Sequence, residues 1–207
     1  RCSHLATSFT TGSKLPMKPV LRALLMLSVV SLPAFAALKE GSAAPRFTAQ
    51  AALAGKEFTF SLKDALAKGP VVVYFYPSAY TQGCNVQAHT FSVNMEKFTA
   101  AGATVIGVSL DSVERLKVFS ADPDYCAGKL PVASDAEGKI AKSYDLKVAD
   151  AHPGFKDTRG EEIGHGFAER TTFVVTPDGK IAATIGGVSP KENVDQTLAA
   201  VQKIAVH

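Results

Sequence analysis

Short apolar runs alternate with helical patterns along most of the chain. Val71–Tyr76 is an unbroken run of β-branched and aromatic residues, which predicts a central strand buried on both faces. Ala103–Ser109 and Thr172–Val175 have the same character. A turn sequence at Thr176–Lys180 separates the last run from Ile181–Ile185, so these two strands are predicted to form a hairpin.

Signals for helix starts lie between and after these runs. Ser134 with Glu137, and Ser189 with Glu192, have the spacing of capping boxes, and Pro190 takes the first helical position of the second. The helix after Pro190 carries a regular apolar stripe, made of Val194, Leu198, Val201 and Ile204. Both sites are therefore predicted to begin helices that pack on the sheet.

The order of these elements predicts the fold class. Strand, helix, strand, helix, strand, helix, hairpin and helix follow one another, which indicates an α/β sandwich with a central mixed β-sheet and helices on both faces. Residues 45–62 are expected to add a small N-terminal hairpin. The helix after the first strand has one apolar face, formed by Cys84, Ala88, Phe91, Met95 and Phe98. Cys84 is thus predicted to lie in the first turn of a helix, on its buried side.

The N-terminal segment has the features of a secretory signal. From Met17 onwards, Lys18 and Arg22 give a positive region, an apolar stretch follows, and residues 34–36 read Ala-Phe-Ala, a small-x-small cleavage site. Residues 17–36 are therefore predicted to be a signal peptide, residues 1–16 an extraneous or upstream segment, and residues 37–207 the folded domain. The protein is expected to be periplasmic or otherwise secreted, with a permanent membrane anchor as the alternative.

Removing this segment changes the charge balance. Residues 1–36 hold four of the 22 Lys and Arg residues and none of the 19 Asp and Glu residues, so 18 bases remain against 19 acids. The remaining chain has no basic stripe of the kind that nucleic-acid binding requires. Nucleic acid is therefore not expected as a partner, nor is a membrane after cleavage, and the length fits one domain.

Two cysteines remain after the signal is removed, Cys84 and Cys126. In an oxidising compartment two cysteines commonly form one structural disulfide, and a lone buried cysteine is commonly a packed thiol. Both interpretations stay open beside a catalytic one. The catalytic hypothesis starts from the helix N-terminus, where unpaired N–H groups and the helix dipole favour the thiolate form of Cys84.

The neighbours of Cys84 supply hydrogen-bond donors for a reaction in which charge develops on a leaving oxygen. These donors are the Thr81 hydroxyl, the N–H groups of Gly83 and Cys84, and the guanidinium of Arg170, which directly precedes the strand beginning at Thr171. Such a set would bind and polarise a peroxide.

The pattern Pro77-x-x-x-Thr81-x-x-Cys84 after a strand, with Arg170 before a later strand, resembles the active site of the peroxiredoxin family, and most closely its bacterial Q-type subgroup. The resemblance extends from about Ala44 to the last helix and implies a thioredoxin-like fold. It implies that Cys84 is the peroxidatic cysteine, that Thr81 and Arg170 position the peroxide, and that Pro77 shields the thiolate. It further implies a monomer or weak homodimer, a thioredoxin-like or other thiol reductant, and no metal or cofactor.

The chain departs from the family pattern at two positions near Cys84. His89 stands where many Q-type members have a second cysteine, and Gln87 stands where a glutamate is common. His89 is expected to be a solvated helix residue. Residues 150–166 are glycine-rich and polar and are expected to be an inserted loop, with no role assigned to its residues His152 and His165.

Cys126 is the remaining candidate for the resolving cysteine. It follows a helix expected to begin near Ser112, an element that carries the resolver in some Q-type relatives. Disulfide formation would require local unwinding around Cys84, because a direct bond needs Cα atoms within about 7 Å. Asp122-Pro123-Asp124 is expected to give a loose connection before Cys126. The alternative is a packed thiol and a one-cysteine cycle with an external reductant.

Two other functions remain as alternatives. A thioredoxin-like thiol-disulfide oxidoreductase needs the C-x-x-C motif, and Gln87 stands where its second thiol would be. A Sco-type exported copper-binding protein uses thiol and imidazole ligands, but its usual C-x-x-x-C pair is absent from this sequence.

Overall fold

The structure, a computed structural model, describes residues 37–205. The predicted signal peptide and the segment before it lie outside the described residues and stay predictions. The strands are β1 (Thr48–Leu53), β2 (Lys56–Ser61), β3 (Val71–Phe75), β4 (Thr104–Ser109), β5 (Val132–Ser134), β6 (Val148–Ala149), β7 (Phe167–Ala168), β8 (Thr171–Val175) and β9 (Ile181–Gly186). The helices are α1 (Leu62–Leu66), α2 (Gln82–Ala100), α3 (Val113–Ala121), α4 (Lys139–Ser143) and α5 (Pro190–Ala205).

Seven strands form one mixed sheet in the order β2-β1-β5-β4-β3-β8-β9. β3 and β5 each lie parallel to β4, whereas β8 lies antiparallel to β3 and forms the expected hairpin with β9. β1 and β2 pair as the expected N-terminal hairpin, and β1 joins it to β5. The predicted α/β class with a mixed sheet is therefore confirmed. β6 and β7 form a separate two-stranded sheet.

The sheet is covered on both faces. In β3, Val71, Val73 and Phe75 contribute to the hydrophobic cluster on one face, and the alternate residues to the cluster on the other. Helices α1 and α4 pack in the first cluster, and α2, α3 and α5 in the second. This double burial explains why β3 is a continuous apolar run rather than an alternating one.

Two of the predicted helix starts agree with the structure. The Ser112 hydroxyl accepts a hydrogen bond from the Arg115 N–H at 3.3 Å and caps α3. The Ser189 hydroxyl accepts one from the Glu192 N–H, also at 3.3 Å, and α5 begins at Pro190 as expected. The predicted apolar stripes of α2 and α5 both face the second cluster.

The predicted capping box at Ser134 is wrong. Ser134 ends β5, where it pairs with β4, and its hydroxyl donates to the Asp111 carbonyl at 2.7 Å. Helix α4 begins later, at Lys139, because the Asp135 carboxylate accepts hydrogen bonds from the N–H groups of Ile140 and Ala141 at 3.0 and 2.8 Å. The N-cap position of α4 is thus Gly138, and Asp135 rather than Ser134 supplies the side-chain acceptor for the first turn.

Residues 150–166, the inserted loop, connect β6 to β7 without a helix or strand of their own, as expected; that they are an insertion stays a prediction. Of the helices within residues 37–205, none combines the length and hydrophobicity that a bilayer-spanning segment needs.

Candidate active site

Cys84 lies at the N-terminal end of α2, close to the point where β3 ends. It is the third residue of the helix, and only 2% of its surface is exposed. The first intrahelical hydrogen bond runs from the Asn85 N–H to the Thr81 carbonyl at 2.8 Å. Helix geometry therefore leaves the N–H groups of Gly83 and Cys84 without an intrahelical acceptor, at the positive end of the helix dipole.

Arg170 reaches Cys84 because of the strand pairing. β8 runs antiparallel to β3 with Thr171 opposite Phe75, so the residue before β8 lies beside the segment that leads into α2. The Arg170 Nη2 atom donates to Cys84 Sγ at 3.3 Å. Its Nη1 atom donates to the side-chain oxygen of Gln87, one turn further along the helix. A guanidinium at this distance stabilises a thiolate.

Gly83 gives Arg170 room to approach. A Cβ atom at this position would lie 3.1 Å from Arg170 Nη2 and 3.4 Å from Pro190 Cγ. Any larger residue would therefore press on the guanidinium that contacts Cys84. The structure thus gives the glycine in Thr81-x-Gly83-Cys84 a steric role in addition to its N–H group.

Thr81 and Pro77 lie in the loop between β3 and α2. The Thr81 hydroxyl donates to the Ser78 carbonyl at 3.0 Å, so in this state it offers its lone pairs, rather than its proton, to a substrate. Thr81 and Pro77 are both half-buried. The roles of Pro77 as a shield and of Thr81 in positioning peroxide stay predictions.

A buried chain of amides extends from Arg170 into the protein. The Gln87 Nε2 atom donates to Asn193 Oδ1 at 2.9 Å, and the Thr172 hydroxyl donates to the same oxygen at 2.6 Å. Asn193 Nδ2 donates to the Ile185 carbonyl at 3.0 Å. Gln87, Asn193 and Thr172 are at most 1% exposed.

The loop between β3 and α2 is anchored from beneath by Asp111, which is fully buried. Its carboxylate accepts hydrogen bonds from the Ser78 hydroxyl at 2.9 Å, the Ala79 N–H at 2.8 Å and the Ser109 hydroxyl at 2.7 Å. Burial alone would raise the pKa of Asp111, but its hydrogen bond to His165 and the positive charge of that imidazole lower it below its usual value, with help from the other donors.

The inserted loop contributes to the same anchor. His165 Nε2 lies 2.9 Å from Asp111 Oδ1, and its Nδ1 lies 2.7 Å from the Gly166 carbonyl. Burial alone would lower the pKa of His165, but the hydrogen bond and charge of Asp111 raise it above its usual value. His152, by contrast, is exposed and lies near the Phe167 ring.

Tyr80 is a second point of contact between the two loops. It has a positive φ of 62°, an unfavourable conformation for a bulky residue. Its carbonyl accepts hydrogen bonds from the N–H and the hydroxyl of Thr158, at 2.9 and 2.8 Å. The Arg159 guanidinium carbon lies 3.4 Å from the centre of the Tyr80 ring, and Arg115 and Arg159 both pair with Asp157. The inserted loop therefore covers the turn that precedes Cys84.

Cys126 lies in a turn-rich segment after α3 and is fully buried. Cys84 and Cys126 are both free thiols. Burial raises the pKa of Cys126 well above its usual value, and the nearby Asp122 carboxylate adds to this effect. The exposed His89 ring places Nδ1 3.0 Å from the Asp124 carbonyl, which connects α2 to this segment.

The connection before Cys126 is less loose than expected. The Asp122 carboxylate accepts a hydrogen bond from the Asp124 N–H at 3.0 Å, and its carbonyl accepts one from the Ala127 N–H at 2.8 Å. Ala127 adopts a positive φ of 52°, which is strained for a residue other than glycine. The segment is therefore closed by local hydrogen bonds around an unfavourable backbone conformation.

Several residues of the site were not identified from the sequence. One signal for Asp111 was available, because it follows β4, and the carboxyl ends of parallel strands meet at one edge of a sheet. Gln87 is three residues from Cys84 and therefore close to the same helix face. Asn193 and His165 gave no comparable signal, because a polar residue on a helix or in a loop is commonly solvated.

Within residues 37–205, no three His, Cys, Asp or Glu side chains converge as metal ligands.

Comparisons with known proteins agree on one family. A model of the AhpC/TSA family matches residues 41–184. The chain is 33% identical over 173 residues to chloroplastic peroxiredoxin Q of Sedum lineare, covering 82% of this chain and 81% of that relative. The fold is similar to the crystal structure of peroxidoxin BcpB from Mycobacterium tuberculosis, with a TM-score of 0.67, 27% identity, and coverage of 81% of this chain and 98% of that one.

A second solved structure is the bacterioferritin comigratory protein of Xanthomonas campestris. It has a TM-score of 0.59 and 29% identity, and the match covers 75% of this chain and 91% of that one. The structures of that protein, with a trapped intermediate and with a ligand, address its alkyl peroxide reduction activity. These similarities do not favour the disulfide oxidoreductase or the copper-binding alternative.

Proposed function

Because this chain belongs to the AhpC/TSA family of peroxiredoxins and is a thiol-dependent peroxidase with a thioredoxin-like fold, we propose that Cys84 is the thiol that reduces the peroxide. One observation carries this assignment: the Arg170 guanidinium lies 3.3 Å from Cys84 Sγ at the N-terminus of α2. The guanidinium and the helix dipole both favour the thiolate, which is the reactive form of cysteine.

The reaction follows from the groups around the sulfur. The Cys84 thiolate attacks the terminal oxygen of the peroxide, so that an S–O bond forms as the O–O bond breaks. Negative charge develops on the leaving oxygen, and Arg170 with the N–H groups of Gly83 and Cys84 stabilises it. The S–O oxygen keeps its own proton, so Cys84 remains as sulfenic acid, and the leaving oxygen takes up one proton from solvent to give water or an alcohol. The Thr81 lone pairs can accept a hydrogen bond from the peroxide.

Cys126 is the proposed resolving cysteine. Its thiol condenses with the Cys84 sulfenic acid, forming an S–S bond and releasing water. A thiol reductant of the thioredoxin class then supplies two electrons and two protons to restore both thiols. Since both side chains are buried and the pKa of Cys126 is raised, attack requires both segments to open locally. In the alternative one-cysteine cycle, the external reductant attacks the sulfenic acid directly.

Export to the periplasm is part of the proposal. The support is the signal-like pattern of residues 17–36. We further propose a monomer or weak homodimer in solution, on the resemblance to Q-type peroxiredoxins. The intact mass of protein recovered from a bacterial periplasm tests the first point, since cleavage should leave a chain that begins within two residues of Ala37.

The catalytic assignment is tested by stopped-flow measurement of hydrogen peroxide consumption by residues 37–207. Cys84→Ser should abolish the reaction, and Arg170→Ala should slow it at least tenfold, because one donor to a developing oxyanion contributes about 3 kcal/mol. The exposed Arg46 offers a matched control, and Arg46→Ala should leave the rate unchanged. A wild-type rate for Arg170→Ala would remove Arg170 from the site.

The resolving role is tested by mass spectrometry after one equivalent of peroxide. The wild-type protein should form a disulfide within one chain, whereas Cys126→Ser should stop at the sulfenic acid and over-oxidise readily. Normal turnover of Cys126→Ser with a thioredoxin-class reductant would establish the one-cysteine cycle instead.

A further inference from the structure

We propose that Asn193 is a positioning residue for peroxide reduction, which keeps Arg170 on the Cys84 sulfur by fixing the side chain of Gln87. The inference rests on the proposed role of Cys84 and concerns a residue that contacts neither the sulfur nor the substrate. Asn193 belongs to α5, at the opposite end of the buried amide chain from Cys84.

The direction of each amide in this chain is determined by its partners. The Ile185 carbonyl can only accept, so Asn193 must turn its Nδ2 atom towards it, at 3.0 Å. Its Oδ1 atom then faces Gln87 and the Thr172 hydroxyl and can only accept from them. Gln87 must therefore present Nε2 to Asn193, which leaves its Oε1 atom facing Arg170.

This orientation determines where the guanidinium lies. Arg170 has only donors, so a Gln87 amide rotated by half a turn would place an N–H group against its Nη1 atom. With the oxygen in place, Nη1 is bound to Gln87 and Nη2 is directed at Cys84 Sγ, 3.3 Å away. Asn193 therefore selects the one Gln87 orientation that supports the contact between arginine and sulfur.

Asn193 is itself rigidly placed. It is 1% exposed, and its N–H donates to the Ser189 carbonyl at 2.9 Å. All polar atoms of its side chain have partners at 2.6–3.0 Å. A side chain fixed in this way can transmit orientation to a neighbour, since little rotational freedom remains.

The test compares Asn193→Leu, which keeps the size but removes all three side-chain hydrogen bonds, with Thr197→Val. Thr197 is equally buried one turn further along α5, and its hydroxyl contacts only the backbone carbonyl of Asn193, so Thr197→Val leaves all three side-chain hydrogen bonds of Asn193 in place. Two quantities are measured in each variant: the second-order rate with hydrogen peroxide, and the pH profile of the Cys84 thiolate absorbance in a Cys126→Ser background. Asn193→Leu should lower the rate about tenfold and move the profile to higher pH, and Thr197→Val should change neither.

A double-mutant cycle tests whether Asn193 acts through Gln87. Gln87→Leu alone should lower the rate by a similar factor, and adding Asn193→Leu should produce no further loss. An equal loss in Asn193→Leu and Thr197→Val, or additive losses in the double variant, would overturn the inference. If the wild-type protein showed no Cys84-dependent activity, the proposed function itself would fail.

A second variant covers the case in which Asn193→Leu does not fold. Thr172→Val is nearly isosteric and removes one of the two hydrogen bonds to Asn193 Oδ1. It should lower the peroxide rate two- to threefold and shift the thiolate profile in the same direction. An unchanged rate and profile for Thr172→Val would also contradict the inference.

Discussion

Gly83→Ala should slow peroxide reduction without destabilising the protein. The new Cβ would lie 3.1 Å from Arg170 Nη2 and 3.4 Å from Pro190 Cγ. Since non-bonded heavy atoms prefer about 3.5–4.0 Å, the guanidinium must retreat by about 0.5 Å. That movement stretches its 3.3 Å contact with Cys84 Sγ. A hydrogen bond to a charged group contributes about 1.5–3 kcal/mol, so losing half of it costs about 1 kcal/mol, or roughly fivefold in rate.

The effect on stability should have the opposite sign. Gly83 has a helical backbone without positive φ, so alanine should be neutral or stabilise α2 by up to about 1 kcal/mol. Stopped-flow kinetics and thermal unfolding on the same samples separate the two effects. Gly164→Ala is the matched control, because no atom lies within 4 Å of a Cβ built there, and its rate should not change. A Gly83→Ala rate within twofold of wild type would refute this steric reasoning.

Two further predictions concern the inserted loop. His165→Asn should lower the free energy of unfolding, measured with urea, most near pH 5–6 and least near pH 9. The pKa of His165 is raised in the folded protein, so its contribution to stability is complete below about pH 6.5, the unfolded pKa. That contribution is lost as the pH rises through the pKa of the folded state. If the free energy of unfolding differed from that of wild type by the same amount at every pH in this range, the ion pair of His165 with Asp111 would be excluded. Thr158→Val removes the hydroxyl bonds to the Tyr80 carbonyl and to Asn85 Nδ2 in the first turn of α2. It should speed peroxide-induced disulfide formation severalfold, as measured by mass spectrometry. Thr90→Val, which removes a hydroxyl bonded only to the helix backbone, should leave that rate unchanged.

Much of the fold was predictable because its core is patterned simply. The unbroken apolar run of β3 and the spacing of the α2 stripe each have one structural solution in a sheet covered on both faces. The error at Ser134 has a local cause. A capping-box pattern can be recognised from two residues, but it cannot show that the serine is already committed to a strand and that Asp135 satisfies the N–H groups of α4.

The contacts around Cys84 were predictable only in part. Motif spacing indicated Thr81 and Arg170 as neighbours, yet the antiparallel register of β8 against β3 is what places Arg170 at the sulfur. The support for Arg170 depends on three elements that are distant in sequence, since Gln87 and Asn193 are 106 residues apart. Periodicity within one helix contains no information about such a pair, and Asn193 would be interpreted as a solvated residue of α5.

Two requirements on the turn before Cys84 oppose each other. Attack on peroxide requires α2 to be intact, because its free N–H groups and Arg170 act only when the first turn is formed. The proposed disulfide formation with Cys126 requires the same turn to open. Tyr80 is relevant to both requirements. The strain of its positive φ, about 1–3 kcal/mol, favours opening of the turn. That cost is offset by Thr158 on its carbonyl and by Arg159 on its ring. Opening the turn breaks these contacts and also relieves the backbone strain, so the net free energy of opening is smaller than the number of contacts suggests. The contacts of the inserted loop with Tyr80, together with the first turn of α2, should therefore determine how often Cys84 leaves its pocket.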